Sequence, residues 1–247
     1  MSTIKIASSI ACASVLLATS AVAAKFPESA MQAKTFTSST GQTIGYRIYV
    51  PEVTNATEKV PAVLFLHGAG ERGTNNTAQL VHGVPQIMKY VIDGGHRAIV
   101  IAPQCPTGMQ WVNAPWNAQT STMNAEPSKP LQAVIELVEK ELASSPVDRS
   151  RIYVTGISMG GYGTWEMLQR FPEQFAAGMP ICGGGDTNLA SKLVSLPIFV
   201  VHGDKDGAVP VFRSRSMVEA IKAAGGTNVI YQERPGEGHN VWGVTYG

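Results

Sequence analysis

The chain has 247 residues, 44% hydrophobic and 15% charged, with a formal net charge of +1, a length that suits one α/β unit with a sizeable core. Its 19 basic side chains nearly balance 18 acidic ones and form no basic run, which argues against nucleic acid or an anionic membrane surface as a partner. Three cysteines and five histidines include no pair at metal-ligand spacing, so neither metal nor other cofactor is expected.

Met1 to Ala24 carries Lys5 as its only charge, then an apolar run through Val15-Leu16-Leu17, then Ala21-Val22-Ala23-Ala24 before Lys25. That is the layout of a secretory signal peptide with an A-x-A type cleavage site, leaving residues 25–247 as a single domain. The apolar core is short and rich in Ser and Thr, so a membrane anchor is the weaker reading. The mature protein is expected to be secreted or periplasmic, with no stable membrane insertion. Cys12 leaves with the signal, and Cys105 and Cys182 remain. Both follow predicted strands at one end of a sheet, but not neighbouring strands. Two separate buried thiols are therefore favoured over a disulfide, the alternative that an oxidising compartment allows.

Gln32 to Ser38 and Thr43 to Val50 are rich in Thr, Tyr and Ile and flank Ser39-Thr40-Gly41-Gln42, which predicts an antiparallel hairpin. Val60 to Leu66 is continuously apolar and ends at His67-Gly68-Ala69-Gly70, as expected of a strand buried on both faces. A helix is predicted around Val84 to Ile92, a second buried strand over Ala98 to Ala102, and a helix from Pro130 through Leu142. Between these last two, Gln104 to Lys129 shows no periodicity yet contains Trp111 and Trp116. We read it as a wall of a substrate site; the alternative is a surface loop anchored by its aromatics. Further strands are predicted before Ser158, over Ala176 to Ile181, over Pro197 to Val201 and over Asn228 to Gln232, with helices after Ser158 and around Met217 to Ala224. This alternation predicts a mostly parallel, doubly wound sheet with right-handed crossovers, and catalytic groups gathered at the carboxyl ends of its strands. Too few residues separate the strands ending at Ile181 and beginning at Pro197 for a lid domain, so an open site is expected.

The chemistry centres on Gly156-Ile157-Ser158-Met159-Gly160, placed between an apolar strand and a helical pattern. A serine between glycines at such a junction reads as a nucleophile elbow, in which the glycines keep side chains out of close backbone contact. A serine hydroxyl needs a base to take its proton, and a histidine oriented by a carboxylate supplies one. His67 and His202 stand at strand ends before glycines, where they hold loops; His82 and His96 lie in or beside a helix with no nearby partner. His239, on a glycine-bounded loop after the last strand, is the expected base. For the acid, Asp206 is favoured over Asp204 on the same turn, with Asp186 a weaker third; Asp204 is expected to bond backbone amides within that turn. Backbone N–H groups of Met159 and Ala69 are the expected oxyanion donors.

With these residues placed, the chain resembles the α/β-hydrolase superfamily. It is most similar to the lid-less secreted esterases labelled phospholipase/carboxylesterase, predicted peptidase, feruloyl esterase or polyhydroxybutyrate depolymerase-like. The resemblance spans Val60 to Trp242 and rests on His67-Gly68-Ala69-Gly70-Glu71-Arg72-Gly73, Ala102-Pro103-Gln104-Cys105-Pro106, the Gly156 to Gly163 stretch, and Pro180-Ile181-Cys182-Gly183-Gly184. It implies the α/β-hydrolase fold, a Ser158, Asp206, His239 triad, and cleavage of small-molecule or polymer-end carboxylic esters. A serine peptidase of prolyl-oligopeptidase-like type, a polyester depolymerase, and a non-catalytic binder on a decayed hydrolase fold are the alternatives. Relatives usually carry a further helix after this histidine. The sequence runs only eight residues past His239, so that helix is expected to be missing: either the sequence is a fragment, or an apolar face is left uncovered to associate with another subunit, with the oligomeric state open.

Overall fold

The computed structural model describes residues 28–55 and 57–247; the predicted signal segment, Met1 to Ala24, lies outside the described residues. Strand β1 (Gln32–Thr37) pairs antiparallel with β2 (Thr43–Tyr49), Gln32 opposite Ile48 and Thr37 opposite Thr43. The turn closes with the Ser38 amide donating to the Gln42 carbonyl at 2.9 Å, and Gly41 supplies the left-handed φ of 79° that it needs. Along the chain follow β3 (Val60–Leu66), α1 (Val84–Ile92), β4 (Ile99–Pro103), α2 (Lys129–Ser144), β5 (Val147–Ile157), α3 (Met159–Arg170) and β6 (Ala177–Ile181), then β7 (Ile198–Gly203), α4 (Phe212–Ala223), β8 (Val229–Arg234) and α5 (Trp242–Tyr246).

The eight strands form one sheet in the order β1-β2-β4-β3-β5-β6-β7-β8. β2 runs antiparallel to β4, and every pair from β4 to β8 is parallel. The continuous apolar runs are explained by burial on both faces. In β4, Ile99 and Ile101 face one core cluster with Leu137, Trp165 and Leu168, while Val100 and Ala102 face a second with Val84, Met88 and Val91. Local signals set the helix starts: Ser128 Oγ accepts the Leu131 amide at 3.2 Å, and Pro130 occupies the first turn of α2. From that helix the buried Glu141 accepts the Tyr46 hydroxyl at 2.6 Å and fastens the hairpin to the domain.

Between β6 and β7 stands only a short 3-10 helix, Thr187–Leu193, with no lid domain inserted in this connection. After His239 the chain forms only the short α5, which seats Tyr246 against Phe65 with ring centroids 6.1 Å apart and joins it to Thr155 by a 2.6 Å hydroxyl contact. Beside α5 the same face of the sheet holds a groove of about 890 Å³ over Val63, Tyr153, Met179 and Phe199. Among the described residues no helix is long and apolar enough to cross a membrane.

Candidate active site

Ser158 follows the last residue of β5 and precedes the first of α3, with φ 54° and ψ −116°, a backbone conformation that few non-glycine residues adopt. The surrounding glycines make this turn possible. A Cβ on Gly156 would lie 2.6 Å from the Leu66 carbonyl oxygen, and one on Gly160 would run into the same carbonyl. The Ser158 amide donates to the Ile181 carbonyl at 2.9 Å, which ties the turn to the end of β6.

Two further loops reach this hydroxyl. Nε2 of His239, from the segment after β8, lies 2.9 Å from Ser158 Oγ. Nδ1 of the same ring lies 2.6 Å from Oδ2 of Asp206, from the turn after β7. Because Nδ1 faces a carboxylate it carries the ring proton, leaving Nε2 to accept from the serine hydroxyl. Oδ1 of Asp206 accepts the amides of Ala208 and Val209, each at 2.8 Å. Burial works most strongly against the Asp206 charge, but hydrogen bonds from His202, His239 and these two amides overcome it and hold the carboxyl far below the usual carboxylate range. Asp204 instead accepts the Gly236 amide at 2.7 Å, and Asp186 accepts the Asn188 and Met123 amides at 3.0 and 2.9 Å. Of the three candidate acids, Asp206 alone meets the histidine.

Met159 opens α3, so its amide has no carbonyl to meet within the helix. Ala69 lies in the loop after β3, and a Cβ added to the preceding Gly68 would stand 3.6 Å from Ser158 Cβ, so this loop passes alongside the hydroxyl-bearing residue. His67 anchors it. The Cys105 amide donates to His67 Nε2 at 2.9 Å, and Nδ1 donates to the Gly68 carbonyl at 2.6 Å. Burial pushes this imidazole's pKa down to about 4, which keeps it neutral at ordinary pH.

The phospholipase/carboxylesterase family profile matches residues 50–246. The chain belongs to this family. A solved thermostable esterase is 39% identical with a TM-score of 0.81, the match covering 88% of this chain and 60% of that one. A bifunctional acetylxylan esterase/xylanase of Neocallimastix patriciarum is 28% identical over 67% of this chain and 22% of its own length. A poly(3-hydroxyoctanoate) depolymerase of Pseudomonas fluorescens is 28% identical over 51% of this chain and 47% of its own. The chain thus spans less than two thirds of each of these relatives.

For this carboxylesterase-family chain, one expected substrate contact is corrected. Trp111 is fully buried, its Nε1 donating to the His67 carbonyl at 3.1 Å and its ring meeting the His67 ring at 5.2 Å. It packs beneath the loop instead of forming a rim. Trp116 is half-buried, and its carbonyl accepts the Tyr162 hydroxyl at 2.8 Å. The Gln104 to Lys129 stretch is closely stitched. Arg213 reaches the carbonyls of Ala118 and Gln119 at 3.3 Å and Ser121 Oγ at 2.6 Å, and Asp186 takes the Met123 amide. Trp242, given no role from sequence, stands edge-on to His239 at 5.2 Å and faces His82 at 5.8 Å. Its spacing of three from His239 was the available signal. Cys105 and Cys182 are separate buried thiols. Among the described residues, Cys182, His202 and Asp206 form a group compact enough for a metal. Their ligand atoms are already engaged within the protein, the Cys182 thiol with the His239 carbonyl at 3.4 Å and the Asp206 carboxylate with two imidazoles.

Proposed function

We propose that the chain is an exported serine hydrolase that cleaves carboxylic esters through an acyl-enzyme. The reading is carried by the continuous line from the Ser158 hydroxyl through His239 to Asp206, 2.9 Å and 2.6 Å long at its two links. Ser158 Oγ attacks the ester carbonyl carbon while His239 Nε2 takes its proton, and Asp206 stabilises the imidazolium so formed. The carbonyl oxygen becomes an oxyanion met by the Met159 and Ala69 amides, donors already fixed by helix and loop. Collapse breaks the bond to the alkoxy oxygen, which leaves as the alcohol with the proton from His239. Water, deprotonated by the same imidazole, then attacks the acyl-enzyme and releases the acid. Trp242, edge-on to His239, borders the site, Trp116 is a candidate substrate contact, and the absence of a lid domain between β6 and β7 leaves room for an alcohol portion attached to a polymer. Acetyl and hydroxyalkanoate esters are the substrates to try first, since relatives are named for acetylxylan and poly(3-hydroxyoctanoate). Export is supported by the layout of Met1 to Ala24.

A fluorophosphonate probe is expected to label the wild type and to leave Ser158→Ala unlabelled. Equal labelling of both proteins would refute the assignment. Hydrolysis of p-nitrophenyl acetate and butyrate, with p-nitroanilide peptides turned over far more slowly, is the expected profile; the reverse ranking would make the protein a peptidase.

A further inference from the structure

The Asp206 carboxylate serves two histidines. Its Oδ2 lies 2.6 Å from His239 Nδ1 and 3.1 Å from Nε2 of His202, the residue just before the end of β7. His202 is fully buried, and its Nε2 faces only acceptors, since its other neighbour is the Val209 carbonyl at 3.0 Å. Nε2 therefore carries a proton and donates it. On the ring's far side Nδ1 meets Ser214 Oγ at 2.8 Å, and that hydroxyl lies 3.1 Å from the Gly183 carbonyl, so the imidazole is fixed from α4 and from the turn after β6.

We infer that His202 is a positioning residue for the proposed triad, fixing Oδ2 of Asp206 and sharing its negative charge with His239. This rests on the serine-hydrolase reading above. The two amides on Oδ1 leave the carboxylate able to pivot about that oxygen, and the His202 donor removes this freedom. A carboxylate engaged by a second imidazole is also a weaker partner for the His239 imidazolium. The arrangement thus holds the base in line and divides the carboxylate's hydrogen bonding between two rings.

The groups facing this unit come from every neighbouring element. The Cys182 thiol follows β6, and desolvation pushes its pKa up; the Tyr162 hydroxyl on α3 is raised, again by burial first. Ser158 and Ser214 present neutral hydroxyls, and Arg213 on α4 lies over the Tyr162 ring. Glu233 on β8 is paired with Arg215, whose hydrogen bond brings its pKa down to about 2. None of these carboxyls, thiols or phenols changes charge in the range where free imidazoles ordinarily do.

The test compares His202→Leu, which removes the donor, with His202→Gln, which keeps an amide N–H, using p-nitrophenyl acetate across pH and melting temperature as a check on folding. In the Leu variant kcat should fall about tenfold with KM within about twofold, and the acid limb of kcat/KM should rise by about half to one pH unit. The Gln variant should recover most of both. If the Leu protein does not fold, Ser214→Ala, which loosens the ring without removing it, should move the limb in the same direction by less. An unmoved limb with near-wild-type kcat in the foldable variants, or a Gln variant as impaired as Leu, overturns the inference. Activity that persists in Ser158→Ala would instead sink the serine-hydrolase reading, so the two failures are separable.

Discussion

Ser158 is held at a φ of 54°, a conformation that costs an L-residue roughly 1–3 kcal/mol and persists only where its surroundings over-determine it. Here the amide bond to Ile181, the start of α3 and the closeness of Gly160 to Leu66 do so, and the strain lifts the hydroxyl clear of the sheet toward His239. Asp206 and Asp204 stand two residues apart, but only one is bonded to an imidazole. Asp206→Asn should lower kcat by about 10³- to 10⁴-fold, because an amide in place of the carboxylate no longer holds the Nδ1–H tautomer of His239. Asp204→Asn, whose amide oxygen still accepts from Gly236, should stay within about threefold of wild type in the same ester assay. A reversal of the two effects would move the acid to Asp204.

At the level of elements, the site is made by segments that leave the carboxyl ends of β3, β5, β7 and β8, so it depends on how those strands are tied together. His67 is one such tie, joining the end of β3 to the segment after β4 through Cys105 and to Trp111 through its carbonyl. Its folded-state pKa of about 4 lies below the ordinary 6.5 because burial disfavours the charged ring. Between those values the unfolded chain binds the proton and the folded chain does not. Stability present above the unfolded value is therefore lost as pH falls toward the folded one, by on the order of 3 kcal/mol in total. Urea titrations stepped from pH 7 to pH 4 should show this decline, and His67→Gln should flatten part of it. An unchanged slope in that variant would assign the acid sensitivity elsewhere.

Over the whole molecule, 19 basic side chains nearly balance 18 acidic ones, which leaves little net charge to act on a neutral ester. Raising salt from about 50 to about 500 mM should change kcat/KM for p-nitrophenyl acetate by less than about twofold, and a steep dependence would point to a charged natural substrate. What the sequence by itself determined was the parallel sheet and the glycine-flanked turn between β5 and α3 that carries Ser158. Strands buried on both faces must be continuously apolar, and a strained turn between strand and helix requires glycines at set positions, so both leave local marks. The hairpin was equally legible from Ser39 to Gln42. Tertiary structure decided the rest. Which of two aspartates turns inward depends on amides and imidazoles from other segments, and adjacent positions on one turn carry the same local signal. Trp111 was read as a wall of the site and lies under the His67 loop instead, because a stretch without periodicity says nothing about which side is buried. The second imidazole on Asp206 was hidden for the same reason: His202 looks like any strand-end histidine until α4 and the turn after β6 close around it.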